Sequence, residues 1–161
     1  MNKLIITFII VFGMSFKISG LIDVNLLAKS NFIHERLLKS IILNVSKRYN
    51  VQGHVGIIRA ICINESSRKI DVIGGSGEIG LMQVTLALLN NYNRVHKVTY
   101  TTNDMLNPYN NIGVGVWYYS LCLKKHRSID KSLMAYNAGI NRKQYGNLIY
   151  IKKVKQHLIK L

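Results

Sequence analysis

Apolar residues recur at three- and four-residue spacing along most of this chain, and one glycine-rich stretch, Gly74-Gly75-Ser76-Gly77, breaks the pattern. That period puts a single apolar stripe on each of several helices and leaves little of the alternation a half-buried strand needs. Residues 33–49 carry the stripe Ile33, Leu37, Leu38, Ile41, Ile42 and Val45. A second helix starts at Val55 and runs through Ile57, Ile58, Ile61 and Cys62; it is apolar on more than one side and is expected at the centre. Residues 82–89 are expected to be helical again, and residues 90–107 polar and irregular, as in a surface lobe beside a cleft. Asn107-Pro108 marks a helix start, because proline's missing N–H costs nothing in a first turn. The stripe Ile112, Val116, Tyr119 and Leu123 follows, with Gly113 and Gly115 permitting close approach. Of the rings in Trp117-Tyr118-Tyr119, at least two are expected in the core rather than against a sugar. Ser128 or Asp130 caps a short helix that Gly139 ends, and a basic helix over 148–161 closes the chain. The expected fold class is mainly α, with at most a minor β element.

At 161 residues, without repeats or a low-complexity linker, the chain is long enough for one domain with its own core. Its formal net charge of +15, from 22 Lys+Arg against 7 Asp+Glu, implies an anionic partner: nucleic acid, a membrane surface or an acidic wall polymer. The basic residues are scattered and carry no zinc-finger or RNA-binding signature, so no nucleic-acid partner is expected. A carboxylate mechanism must draw on Glu35, Glu65, Glu78, Asp23, Asp71, Asp104 and Asp130. Neither a calcium loop nor a zinc spacing is present among the acids, cysteines and histidines, so no metal and no cofactor are expected.

Residues 1–20 place Lys3 before the apolar run Leu4 to Phe12, which is short for a membrane span and reads as a secretory leader; a buried N-terminal helix is the alternative. Residues 21–161 then form the domain, exported to the periplasm or beyond the cell. Export would permit a disulfide between Cys62 and Cys122, but both lie in apolar helical patterns, where two buried thiols are the plainer reading.

Glu65 ends the apolar second helix, with Ile61 and Cys62 on its own face. Burial there would raise its pKa and keep it protonated, as a general acid requires. Arg68 and Lys69, three and four residues on, would lower it if the helix continued, and a solvated Glu65–Arg68 pair is the plain alternative.

Four motifs in order bear on that choice: Glu65-Ser66-Ser67, Gly80-Leu81-Met82-Gln83, Asn107-Pro108-Tyr109-Asn110-Asn111-Ile112-Gly113-Val114-Gly115, and Ala135-Tyr136-Asn137-Ala138-Gly139. With the tail Tyr150-Ile151-Lys152-Lys153-Val154, they resemble the catalytic domain of the soluble lytic transglycosylases, glycoside hydrolase family 23, over about residues 49–155. The resemblance implies a goose-lysozyme-like single domain with a cleft. It also implies cleavage of the β-1,4 bond between N-acetylmuramic acid and N-acetylglucosamine in bacterial peptidoglycan. Glu65 would be the catalytic acid and then the base on the muramic acid C6 hydroxyl, giving a 1,6-anhydro product. Ser66, Met82, Gln83, Tyr136 and Asn137 would bind substrate. The expected partners are peptidoglycan glycan strands and a secretion, conjugation or flagellar assembly, with the chain itself a monomer.

Four positions depart from the family pattern: Lys69-Ile70 stands for Asn-Pro, Gly74 for a serine, and Asn107 for an aspartate. Glu78 is expected to be a loop-surface charge. A hydrolytic lysozyme would instead recruit Glu78 or Asp104 to activate water, and a non-enzymatic basic binder would need none of these residues.

Overall fold

The computed structural model describes residues 31–141 and 148–159. The leader over 1–20 and the closing Leu161 lie outside the described residues. Six α-helices appear among the described residues: α1 (Glu35–Arg48), α2 (Val55–Ser66), α3 (Leu86–His96), α4 (Pro108–His126), α5 (Ile129–Ala138) and α6 (Leu148–Ile159). Two 3-10 turns, Gln52–His54 and Asn103–Leu106, lead into α2 and α4. The architecture is mainly helical, as the periodicity implies, and none of the described helices is long and apolar enough to cross a membrane.

Helix α2 is central because it has no polar face to give to water. Ile58, Ala60, Ile61 and Cys62 are fully buried, and the helix packs against α1 on one side and α6 on another. Each such isoleucine contributes about 1.5–3 kcal/mol through burial. Helix α4 runs alongside α1, α3 and α5 and is buried over most of its first three turns, from Asn111 to Trp117. It joins two apolar clusters. Ile112, Val116 and Tyr119 belong to the larger one with α1, α2 and α6, while Val114 and Trp117 pack with Leu89, Tyr92 and Met105 in the smaller one.

Local chemistry sets the helix ends. Asn107 caps α4 by accepting from the Tyr109 N–H at 2.9 Å and the Asn110 N–H at 3.3 Å, so the amide performs the capping expected of the family's aspartate. Ser128 caps α5, and Gly139 ends it at φ +100°, a conformation open to glycine. Helix α2 stops at Ser66 because Ser67 and Arg68 both turn left-handed, with φ of 52° and 68°.

Two expectations are corrected. Residues 82–85 are not helical: Ile79 and Val84 pair through N–H···O bonds of 3.0 and 2.9 Å, and Gln83 has φ +48°. Thr85 then caps α3, accepting from the Leu88 N–H at 3.2 Å. The helix continues through the polar residues to His96; its buried face is only Leu89 and Tyr92, three residues apart, too narrow for the apolar period to reveal it. Cys62 and Cys122 are both buried free thiols, the plainer of their two readings, and not the possible disulfide. Burial pushes the Cys122 thiol up to about 12, and that of Cys62 higher still.

Candidate active site

The left-handed turn after Ser66 decides the environment of Glu65. It takes Arg68 off the helix axis toward α1, where the Arg68 guanidinium donates to Glu35 Oε2 at 3.2 Å and Arg59 pairs with Glu35 Oε1. The cation expected to depress Glu65 is therefore held by another carboxylate. Glu65 is partly buried, and desolvation raises its pKa above the usual carboxylate range. The Tyr150 and Asn64 side chains bond to it and act in the opposite sense, while the Glu78 charge adds to the rise.

Tyr150 is the site residue that reading the chain locally missed. It is buried on the first turn of α6 and its hydroxyl donates to Glu65 Oε1 at 2.6 Å. The signal was present in the tail motif, but a tyrosine opening a basic helix also reads as ordinary core.

Ser66, placed among the sugar-binding residues by the resemblance, faces inward. Its hydroxyl donates to the Cys62 carbonyl at 3.0 Å and accepts from the Arg68 N–H at 3.1 Å, which makes it the device that ends α2. Met82 is also fully buried. Its side chain lies against Gly115 of α4, where an added Cβ would meet the sulphur at 2.5 Å, so glycine is required there by contact rather than by backbone freedom. The Met82 N–H donates to Asn111 Oδ1 at 2.8 Å, and its carbonyl accepts from the Tyr136 hydroxyl at 2.8 Å.

Asn111 was another unassigned residue. It is fully buried and donates from Nδ2 to the Ile79 carbonyl at 2.8 Å and the Met105 carbonyl at 2.9 Å while receiving Met82. One side chain thus fastens the returning loop to α4. Asn111, Gly115 and Tyr118 fall at i, i+4 and i+7, a second stripe one residue out of register with the apolar one, and it builds the site where the other builds the core.

Gln83 sits at the mouth of this loop. Its Nε2 donates to the Gly80 carbonyl at 3.0 Å and the Val72 carbonyl at 3.3 Å, clamping the glycine-rich segment. Glu78 folds back over the same segment and accepts from the Ser76 N–H at 3.0 Å. Both side chains converge on Gly74, where a Cβ would lie 2.5 Å from Gln83 Oε1 and 2.5 Å from Glu78 Oε2. The missing side chain at Gly74 is what makes room for them.

A cavity of about 410 Å³ opens beside Gln83, walled by Leu88 and Asn91 of α3, Tyr118 of α4, and Tyr136, Asn137 and Gly139 at the end of α5. Gln83, Tyr136 and Asn137 are thus brought together as expected. Glu65 does not line this cavity; burial raises the pKa of Tyr136, which does line it, and the Glu65 charge adds to that rise. Of the aromatic triplet, Trp117 and Tyr119 are core and Tyr118 reaches the cavity. Asp104 is engaged elsewhere, accepting from the Thr101 N–H and hydroxyl, both at 2.7 Å. Among the described residues no cluster of His, Cys, Asp or Glu could hold a metal ion.

Comparison with known proteins bears on the fold and the family. No curated protein matches the chain. Among solved structures, that of an inactive mutant of the lytic transglycosylase Slt from Pseudomonas aeruginosa superposes with a TM-score of 0.59 at 21% identity, covering 74% of this chain and 22% of that one. The chain thus spans about a fifth of that protein's length, and the likeness shows the fold. The profile of the Transglycosylase SLT domain matches residues 40–158, which includes α2, the returning loop, α4, α5 and α6. The chain belongs to the transglycosylase SLT domain family.

Proposed function

We propose that this protein is a peptidoglycan lytic transglycosylase that cleaves the β-1,4 bond between N-acetylmuramic acid and N-acetylglucosamine with Glu65 as its only catalytic carboxylate. The observation that carries the reading is Glu65 itself: a desolvated carboxyl at a helix end, held by Tyr150, whose nearest cation in sequence is tied to Glu35. Such a group keeps its proton at higher pH than a solvated glutamate and is poised to give it up. Glu65 protonates the glycosidic oxygen as the C1–O4 bond breaks. Its carboxylate then takes the C6 hydroxyl proton while that oxygen bonds to C1, closing the 1,6-anhydro ring without water.

Gln83, Tyr136 and Asn137 bind the sugar from the two walls of the cavity, with Met82 packed beneath the first wall. The hydrolytic alternative needs a second carboxylate to activate water. Asp104 is bound to Thr101 and Glu78 to the Ser76 N–H, which favours the single-carboxylate route. The net charge of +15 suits an exported enzyme meeting an anionic wall, opened locally for a secretion, conjugation or flagellar assembly.

Glu65→Gln keeps shape and hydrogen bonding while removing the proton donor. It is expected to abolish lysis of purified sacculi and to leave binding to them intact. Undiminished lysis by this variant would refute the assignment, and lysis absent from the wild type would favour a non-enzymatic binder.

A further inference from the structure

The cavity wall formed by Asn137, Ala138 and Gly139 is the C-terminal end of α5, two residues of its last turn and the glycine that caps it. A helix end draws on outside support, because its last four carbonyls have no partner within the helix and the chain beyond Gly139 has no ladder of its own. The support comes from α4. The Ile140 N–H donates to the Tyr118 hydroxyl at 2.9 Å, and the Ile140 carbonyl accepts from Lys125 Nζ at 3.0 Å. Lys125 also donates to Asn141 Oδ1 at 2.9 Å. Tyr118 and Lys125 are seven residues apart on one helix face, two turns of about 5.4 Å, so α4 grips both polar groups of a single residue directly after the wall.

Tyr118 contributes in two further ways. Its hydroxyl lies 3.4 Å from the Ala135 carbonyl, a long and weak contact that joins the start of the turn to its end. Its ring packs against Tyr136 with centroids 5.6 Å apart and itself lines the cavity. The side chain therefore touches the start of the wall, its end and the space it encloses.

We propose that Tyr118 is a positioning residue for substrate binding. Its hydroxyl, aided by Lys125, clamps Ile140 and so fixes the Asn137–Gly139 wall at the distance from Gln83 and Asn91 that an N-acetylated sugar needs. The identity of that ligand rests on the transglycosylase reading above; the clamp itself does not. The ring fills space and the hydroxyl sets geometry, so the two roles separate in one substitution.

Tyr118→Phe in the full chain keeps the ring. One neutral hydrogen bond is worth about 0.5–1.5 kcal/mol, so the expected effect is a rise in KM of about 2- to 12-fold on soluble, uncross-linked glycan strands, with kcat nearly unchanged. Backbone amide exchange over residues 135–141 should accelerate while exchange in α2 and the melting temperature stay close to wild type. Lys125→Ala should give a smaller change of the same kind. Unaltered exchange at 135–141 would overturn the clamp whether or not the wild type is active. Accelerated exchange with an unaltered KM, in a wild type that turns over glycan, would overturn the link to binding. A wild type without turnover would instead count against the transglycosylase reading, and exchange would still judge the clamp.

Discussion

Tyr150→Phe removes one hydroxyl from the site and leaves the ring that packs α6 against α2. The lost contact is the 2.6 Å bond to Glu65 Oε1. In the proposed mechanism Glu65 starts protonated; as it gives its proton to the glycosidic oxygen, charge develops on the carboxylate and the Tyr150 bond becomes charge-assisted. Such bonds contribute about 1.5–3 kcal/mol, which corresponds to a loss of about 10- to 150-fold in plateau kcat/KM. The pH profile should move as well. Tyr150 favours the ionised form and lowers the Glu65 pKa against the larger effect of burial, so its removal lets Glu65 hold its proton to higher pH. The limb on which activity falls as pH rises, where the acid deprotonates, therefore shifts upward in the variant. The assay is kcat/KM on soluble glycan strands across pH, with thermal melting alongside. A plateau and limb both unchanged would refute the coupling. A loss of activity matched by loss of folded protein would mean that the hydroxyl serves only the fold.

The remaining predictions concern the same elements. Glu65 has a folded-state pKa above its unfolded value, so the stability it confers is complete below the unfolded value and is lost as pH rises through the folded one. Glu65→Gln should accordingly melt a few degrees higher than wild type at pH 7, each kcal/mol being about 2–4 °C in a domain of this size, and equally at acid pH; an equal melting temperature at both would contradict a desolvated acid. Gly74→Ala should preserve the fold but push Gln83 and Glu78 out of place, reducing turnover about tenfold for each 1.4 kcal/mol of misplacement, and adding Glu78→Ala should recover part of it; full activity in the single variant would contradict the crowding at Gly74. Asn111→Ala strands the Met82 N–H and two buried carbonyls and should cost about 3–5 kcal/mol by denaturant unfolding, whereas a loss below about 1 kcal/mol would show the loop to be held by other contacts.

The sequence made the helices legible where apolar residues repeat over several turns. The stripe from Leu38 to Val45 and the all-round apolar run from Ile57 to Cys62 became α1 and α2, and Asn107, Ser128 and Gly139 mark helix ends by chemistry that acts within three or four residues. Helix α3 was legible only in part, because a face of Leu89 and Tyr92 is too narrow to stand out among Asn90, Asn91 and Asn93. The ordered motifs singled out Glu65, Gln83, Tyr136 and Asn137, and the last three line one cavity. What local reading could not supply was every relation across the fold: Tyr150 reaching Glu65 from 85 residues away, Glu35 holding Arg68 from 33, and Asn111 fastening a loop 32 residues before it. Ser66 turns inward for a related reason: adjacent helical residues point about 100° apart, so it does not share the direction of Glu65.

The central claim is that one carboxylate, acting as acid and then base, cleaves the glycan without water. Mass spectrometry of fragments released from purified sacculi by the wild-type protein tests it most directly. The account predicts muropeptides ending in 1,6-anhydro-N-acetylmuramic acid, lighter by one water than hydrolysis products, and none from Glu65→Gln. Reducing-end N-acetylmuramic acid as the main product would contradict it and identify a hydrolase.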